Sequence, residues 1–175
     1  MPEIEIRALS ASLEICQMLS EILVETVANG GSVSFMHPLM PETAATFWNE
    51  ALAAADRGER IVLGAWDGEL LVGTVTLLLD CPPNQPRRAE IAKMMTRLSH
   101  RSRGIATELL YAAEELAVER GRTLLVPDTA VDGGASGLYE KLGFILTGVI
   151  PDYAFKPHGG LTGTMIYWKR VGSKS

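Results

Sequence analysis

Residues 89–126 hold the pattern that most restricts how this chain can fold. Ala89–Thr96 reads as an extended, largely apolar stretch, and Arg101-Ser-Arg-Gly104-Ile-Ala106 as a tight loop. An amphipathic run follows, with Ile105, Leu109, Ala112, Ala113, Leu116 and Ala117 on one face and Glu108, Glu114, Glu115 and Glu119 elsewhere. That is the repeat of a helix packed on one side. Gly121 stops it, and Thr123–Val126 is extended again. A helix crossing between two strands of one sheet makes those strands parallel. The chain is therefore expected to be α/β.

The loop itself suits a pyrophosphate. The first N–H groups of a helix lack intrahelical partners and point outward at the positive end of its dipole. Gly104 removes a Cβ from the approach, and Arg101 and Arg103 add positive charge. Taken alone, the same residues also describe a plain turn with solvated arginines. No Gly-Lys-Ser/Thr triplet follows, as a P-loop requires, and one glycine does not make a dinucleotide fingerprint.

The remaining elements surround this unit. Ile4 and Ile6 alternate with Glu5 and Arg7 as a short strand. Leu13–Val27 has helical spacing and stops at Asn29-Gly-Gly31, and Pro41 opens a second helix to about Ala55. Ile61–Trp66 and Leu70–Leu79 flank Asp67-Gly68 as a hairpin. Cys81–Arg88 is a loop with three prolines, and Asp132-Gly-Gly to Leu142 reads as a short helix. Phe144–Ile150 and Thr164–Lys169 complete the sheet. Pro127 lacks a donor, and so either ends its strand or marks where two central strands part.

The 175 residues, 47% hydrophobic and 21% charged, fit one globular domain spanning 1–175. A net charge of -5 argues against a nucleic-acid partner. Cys16 and Cys81 share no motif and read as reduced thiols. The acidic N-terminal residues do not resemble a signal peptide, and no apolar run reaches the ~20 residues that span a bilayer. A cytoplasmic protein without a membrane partner is expected. His37, His100 and His158 lack metal-ligand spacing, so no metal is expected. Ser136 is not in a nucleophile elbow, and Lys93 reads as a solvated strand residue.

A second motif, Leu138-Tyr139-Glu-Lys-Leu-Gly143-Phe144, lies some thirty residues after Arg101-x-x-Gly104-x-Ala106. In that order and spacing the two resemble the GNAT superfamily of acyl-CoA-dependent N-acetyltransferases. The resemblance implies a GNAT fold, a mixed sheet of six to seven strands flanked by about four helices. It also implies acetyl-CoA as co-substrate, held by Met94, Met95, Thr96, Arg101, Ser102, Arg103, Gly104, Ile105, Ala106, Thr107 and Asp132. Asp132 stands where many members have asparagine, so it either contacts the cofactor or caps its helix.

By the same resemblance Tyr139 sits near the thioester sulfur. A phenol and a thiol differ by about 1.5 pKa units, so full proton transfer between them is uphill by roughly 2 kcal/mol. Tyr139 is thus expected to act as an acid or hydrogen-bond donor. Glu90 and Asp128, at strand ends, are the candidate bases, direct or through water.

Glu25-Thr-Val-x-x-Gly-Gly-Ser-Val-x-Phe35-Met36, Arg88-Ala-Glu90, Asp128-Thr129 and Pro151-x-Tyr153 are similar to the tabtoxin-resistance branch of the superfamily. This likeness implies that Glu90 and Asp128 handle the acceptor. The acceptor pocket is expected between the loops Asn29–Pro41 and Pro151–Thr162, with Ser32, Phe35, Met36, Tyr153 and Phe155 as its walls. A small-molecule amine is the expected acceptor. A peptide amine and a non-catalytic acyl-CoA sensor are the alternatives, and monomer and homodimer stay open.

Overall fold

The computed structural model describes residues 3–172. Seven strands form the sheet: β1 (Ile4–Ala8), β2 (Arg60–Asp67), β3 (Leu70–Leu78), β4 (Arg88–Thr96), β5 (Leu124–Ala130), β6 (Ile145–Phe155) and β7 (Leu161–Arg170). Their spatial order is β1-β2-β3-β4-β5-β7-β6. The helices are α1 (Leu13–Ala28), α2 (Pro41–Asp56), α3 (Ile105–Glu119) and α4 (Ser136–Lys141). This is the expected GNAT fold. The pair β4–β5 is parallel, joined through α3, and the neighbouring pairs are antiparallel.

Two apolar cores share the sheet. One packs α3 against it through Ile105, Leu109, Leu110, Ala113 and Ala117, with Leu63, Ala65, Val75 and Leu77 opposite. The other packs α1 and α2 on the far face through Leu19, Ile22, Leu23, Trp48 and Leu52, with Val62 and Trp66. Buried on both faces, β2 and β3 read as nearly continuous apolar runs. Ser12 caps α1 by accepting from the Ile15 amide at 3.0 Å, and Pro41 begins α2 where a missing N–H costs nothing. Among the described residues, no helix is long and apolar enough to cross a membrane. Both cysteines carry free thiols, Cys16 buried and Cys81 half-buried.

Three element boundaries differ from the sequence reading. Pro127 does not end β5, which continues to Ala130 because β7 supplies its ladder from Asp128 onward. β6 runs through Pro151 to Phe155, so most of the expected loop 151–162 is a hairpin. Register shifts between Ile150 and Ala154 absorb Pro151, with Asp152 at φ 52. α4 is only one and a half turns, preceded by a glycine-containing turn.

One irregularity bears directly on function. Thr76 of β3 faces Ala92 of β4, but Thr74 faces Met95, so Lys93 and Met94 together oppose one residue. Lys93 takes a φ of 52 at this bulge. The bulge inverts the alternation of β4: Ala89 and Ile91 join the α3-side core, whereas Met95 joins the opposite one.

Close approach of α3 to β3 fixes the start of that helix. A Cβ on Gly73 would stand 3.0 Å from Ile105 Cγ2, 3.2 Å from the Met95 carbonyl and 3.3 Å from Leu109 Cδ1. Gly73→Val is expected to lower stability by about 1–3 kcal/mol through overpacking, read as a reduced midpoint in urea unfolding.

Candidate active site

Parallel pairing of β4 with β5 runs from Arg88–Leu124 to Ile91–Pro127 and then stops. Beyond that point β4 stays on β3 and β5 stays on β7. The N–H that Pro127 lacks lies on the β7 side, where the β5–β7 pairs between Leu125 and Asp128 are missing, whereas the bulge at Lys93 turns β4 out of register at nearly the level where its pairing with β5 ends. The strands part, and a cavity of about 870 Å³ opens between them. Its walls include β4 residues 91–96, β5 residues 128–130, the start of α3, Tyr139, and segments 31–36 and 153–155.

At one end lies the loop before α3. Arg97 donates through Nε to the Leu71 carbonyl at 2.6 Å and through Nη2 to Glu21 at 3.0 Å. The Leu98 amide donates to Glu25 Oε2 at 3.0 Å, and His100 Nε2 lies 2.9 Å from Asp67 Oδ2. Two glutamates of α1 thus hold the entry to the loop. Gly104 caps α3 in the left-handed region at φ 78, a conformation other residues adopt only with strain. Among the described residues, the amides from Ser102 to Thr107 have no protein acceptor. Together with Arg101 they form a donor set suited to pyrophosphate oxygens. Met94, Met95, Thr96, Arg101, Ser102, Gly104, Ile105, Ala106 and Thr107 all line the cavity, whereas Arg103 does not.

Asp132 is also outside the wall. It accepts from the Thr162 hydroxyl at 3.2 Å and lies 3.8 Å from Lys156, tying the turn after β5 to the β6–β7 hairpin. Nor does it cap α4: the Ala135 amide there donates to Thr129 Oγ1 at 2.9 Å.

That capped turn positions Tyr139. The Tyr139 side chain is 3% exposed and packs against Phe144 and Tyr167, with ring centroids 5.3 and 5.6 Å away. Its hydroxyl has no hydrogen-bond partner among the described residues, and the residue lines the cavity. Burial, and secondarily the negative charge of Asp128, pushes the phenol above its usual range. It therefore stays protonated, a donor rather than a base.

Asp128 enters the cavity just past the split, and the Thr164 hydroxyl donates to its Oδ2 at 3.0 Å. Glu90 is placed differently. It sits on the paired part of β4, in contact with the Arg88 guanidinium, and is not among the lining residues. Glu90 pairs with Val126 before the strands part, so it and Asp128 share a face of adjacent strands two residues apart in register, with Asp128 alone of the two in the cavity wall.

Ser32, Phe35, Met36, Tyr153 and Phe155 all line the cavity. Met36, Tyr153 and Phe155 are exposed, and Phe35 packs edge-on against Phe47. The loop and the hairpin are joined at their rim. The His37 amide donates to the Pro157 carbonyl at 2.9 Å, the His37 and His158 rings pack with centroids 4.3 Å apart and a tilt of 37°, and His158 Nε2 lies 2.9 Å from the Ala28 carbonyl.

Lys93 is the residue that the sequence reading misjudged. It is half-buried in the cavity wall, donates to Ser34 Oγ at 3.2 Å, and lies 5.6 Å over the Phe47 ring. The available signal was parity: strict alternation from Ala89 and Ile91 would send Lys93 into the α3-side core, which only a bulge prevents.

The family model for the acetyltransferase (GNAT) family matches residues 21–144, which contain both the α3 loop and Tyr139. The chain belongs to the GNAT acetyltransferase family. Human N-acetyltransferase 8B is 35% identical over 82 residues, covering 46% of this chain and 36% of its own length. The chain thus spans about a third of that relative. A ribosomal-protein-alanine N-acetyltransferase from Brucella melitensis superposes with a TM-score of 0.78 at 22% identity, covering 95% of this chain and 99% of its own. An aminoglycoside 6'-N-acetyltransferase complexed with coenzyme A gives 0.75 at 18%, covering 98% and 99%. These structures share the fold with this GNAT acetyltransferase.

Burial lowers the Lys93 pKa, offset in part by Asp128 and reinforced by Arg60. The unfolded chain therefore binds this proton more tightly, and stability rises with pH in the window just below 10.5. Lys93→Met is expected to raise the urea midpoint at pH 7, and the gain should shrink as pH approaches 10.5.

Proposed function

We propose that this acetyltransferase acetylates the amine of a small, amino-acid-like molecule, with tabtoxin-like β-lactams as one such class. The observation that carries this reading is the convergence of three features on the split between β4 and β5. These are the unpaired amides of α3, the protonated Tyr139 and the Asp128 carboxylate.

In this reading Arg101 and the amides of residues 102–107 bind the pyrophosphate. The β4 edge at Met94–Thr96, released from β5, offers backbone groups to the pantetheine amides. Acetyl-CoA supplies a thioester: the acceptor nitrogen bonds its carbonyl carbon, the C–S bond breaks, and coenzyme A leaves as a thiolate. Asp128 receives the proton of the acceptor ammonium, directly or through a water, while Thr164 holds one carboxylate oxygen in place. Tyr139 donates a hydrogen bond toward the sulfur. Its raised pKa makes complete proton transfer less favourable than for a free phenol, so stabilisation of the thiolate is its main part. We assign Glu90 no direct proton, since Arg88 engages it away from the cavity.

Two observations support a small acceptor over a peptide. The His37–His158 ring contact and the His37–Pro157 hydrogen bond close the rim between the two recognition loops, where a peptide would need an open groove.

Free-thiol release from acetyl-CoA, measured with amino acids, β-lactam amino-acid toxins, polyamines, aminoglycosides and short peptides, tests this. Turnover confined to the amino-acid class is expected, and turnover of peptides alone would transfer the reading to a peptide acceptor. Asp128→Asn and Tyr139→Phe should each lower kcat by about 10²-fold or more with the KM for acetyl-CoA little changed. Glu90→Gln should cost much less, and a loss as large as that of Asp128→Asn would return Glu90 to the chemistry.

A further inference from the structure

Lys93 occupies its place at a structural cost. Its φ of 52 is a left-handed conformation that non-glycine residues rarely hold. Its ammonium is also withdrawn from water. An ammonium has three donors, and among the described residues one is used, by Ser34 Oγ. No carboxylate among the described residues lies within ion-pair distance of it.

The other basic side chains of the cavity wall are placed differently. His100 is bound to Asp67, and Arg101 lies at the helix-start end. Lys93 stands instead beside Ser34, over the Phe47 ring, near the loop that carries Ser32, Phe35 and Met36. The acceptor end thus holds one cation with spare donors and, across the strand split, the Asp128 carboxylate.

We propose that Lys93 is the counter-charge for a carboxylate on the acceptor, so that this enzyme selects amines that also carry an acid group. The assignment rests on the acceptor-site reading above and narrows it. A zwitterion then enters in one orientation, ammonium toward Asp128 and carboxylate toward Lys93 and the Ser34 hydroxyl. A single point-charge donor suits a monovalent carboxylate, whereas planar or multivalent anions are matched better by arginine forks. The same ammonium repels polycationic acceptors such as polyamines and aminoglycosides, which gives specificity by exclusion as well as by attraction.

Two measurements test it. In the first, Lys93 in the coenzyme A complex is labelled with an amine-reactive ester and followed by mass spectrometry. L-serine, L-methionine, L-phenylalanine and L-lysine are each compared with their carboxamides. At least one acid should slow Lys93 labelling by about tenfold when present at roughly ten times its Kd, and its carboxamide should not. Equal protection by acid and amide, or protection by neither, overturns the proposal. This measurement needs no turnover, so a failure of the acetyl-transfer reading shows separately as absent thiol release.

In the second, the acid-to-amide ratio of kcat/KM is compared for the wild type and Lys93→Met. The ratio should fall by about tenfold or more, as expected for loss of a charged hydrogen bond. A ratio unchanged by the substitution, whatever happens to overall rate, overturns the proposal.

Discussion

The interruption of β4–β5 pairing after Ile91–Pro127 is the constraint on which the rest of the site depends. Two adjacent parallel strands in the middle of a sheet would ordinarily leave no space and no free backbone. Here each strand keeps an outer neighbour, so the sheet stays intact while a slot opens through it. The extra residue at Lys93 turns β4 away at the level where the pairing ends. The cavity is therefore a product of local backbone chemistry, and each of its functional side chains is placed by its position relative to that break.

The two helix layers divide the work. α3 contributes its N-terminus, and its seat on Gly73 fixes where that terminus points. α1 contributes through Glu21 and Glu25, whose carboxylates hold Arg97 and the Leu98 amide. α4 is too short to be stable by itself. It is held by its Thr129 cap and by Tyr139, which is both a core residue and a site residue. Substitutions at Tyr139 other than phenylalanine would disturb packing and chemistry together, since its ring fills the core while its hydroxyl meets the cavity.

Much of this architecture was legible in the sequence. Helical periodicity located α1, α2 and α3 within a residue or so at their ends, and the Asp67-Gly68 turn located the β2–β3 hairpin. The α3 loop was visible because glycine and helix-start chemistry leave a local signature. The bulge was not, because Ala92-Lys93-Met94-Met95 reads as an unbroken strand until its neighbours fix which face each residue must take. Pairings across long separations were equally hidden: Ser34 meets Lys93 from 59 residues away, and Glu25 meets Leu98 from 73. That Asp128 lines the cavity while Glu90 does not was hidden as well, since it depends on where the β4–β5 pairing stops. The run of β6 through Pro151 depends on bulges that the edge strand tolerates, and proline alone suggested a loop.

The joined rim has a consequence for how such a pocket can be altered. Because the His37 and His158 rings pack together, and the His37 amide is bound to the Pro157 carbonyl, the α1–α2 connection and the β6–β7 hairpin form one mechanical unit. Grafting a hairpin of different length from a relative would strand its counterpart, leaving the Ala28 carbonyl and the His37 amide without their partners. Exchange of acceptor range in this scaffold is therefore a two-segment operation. The pair must be transplanted together, or the pocket loses its edge before it gains a new substrate.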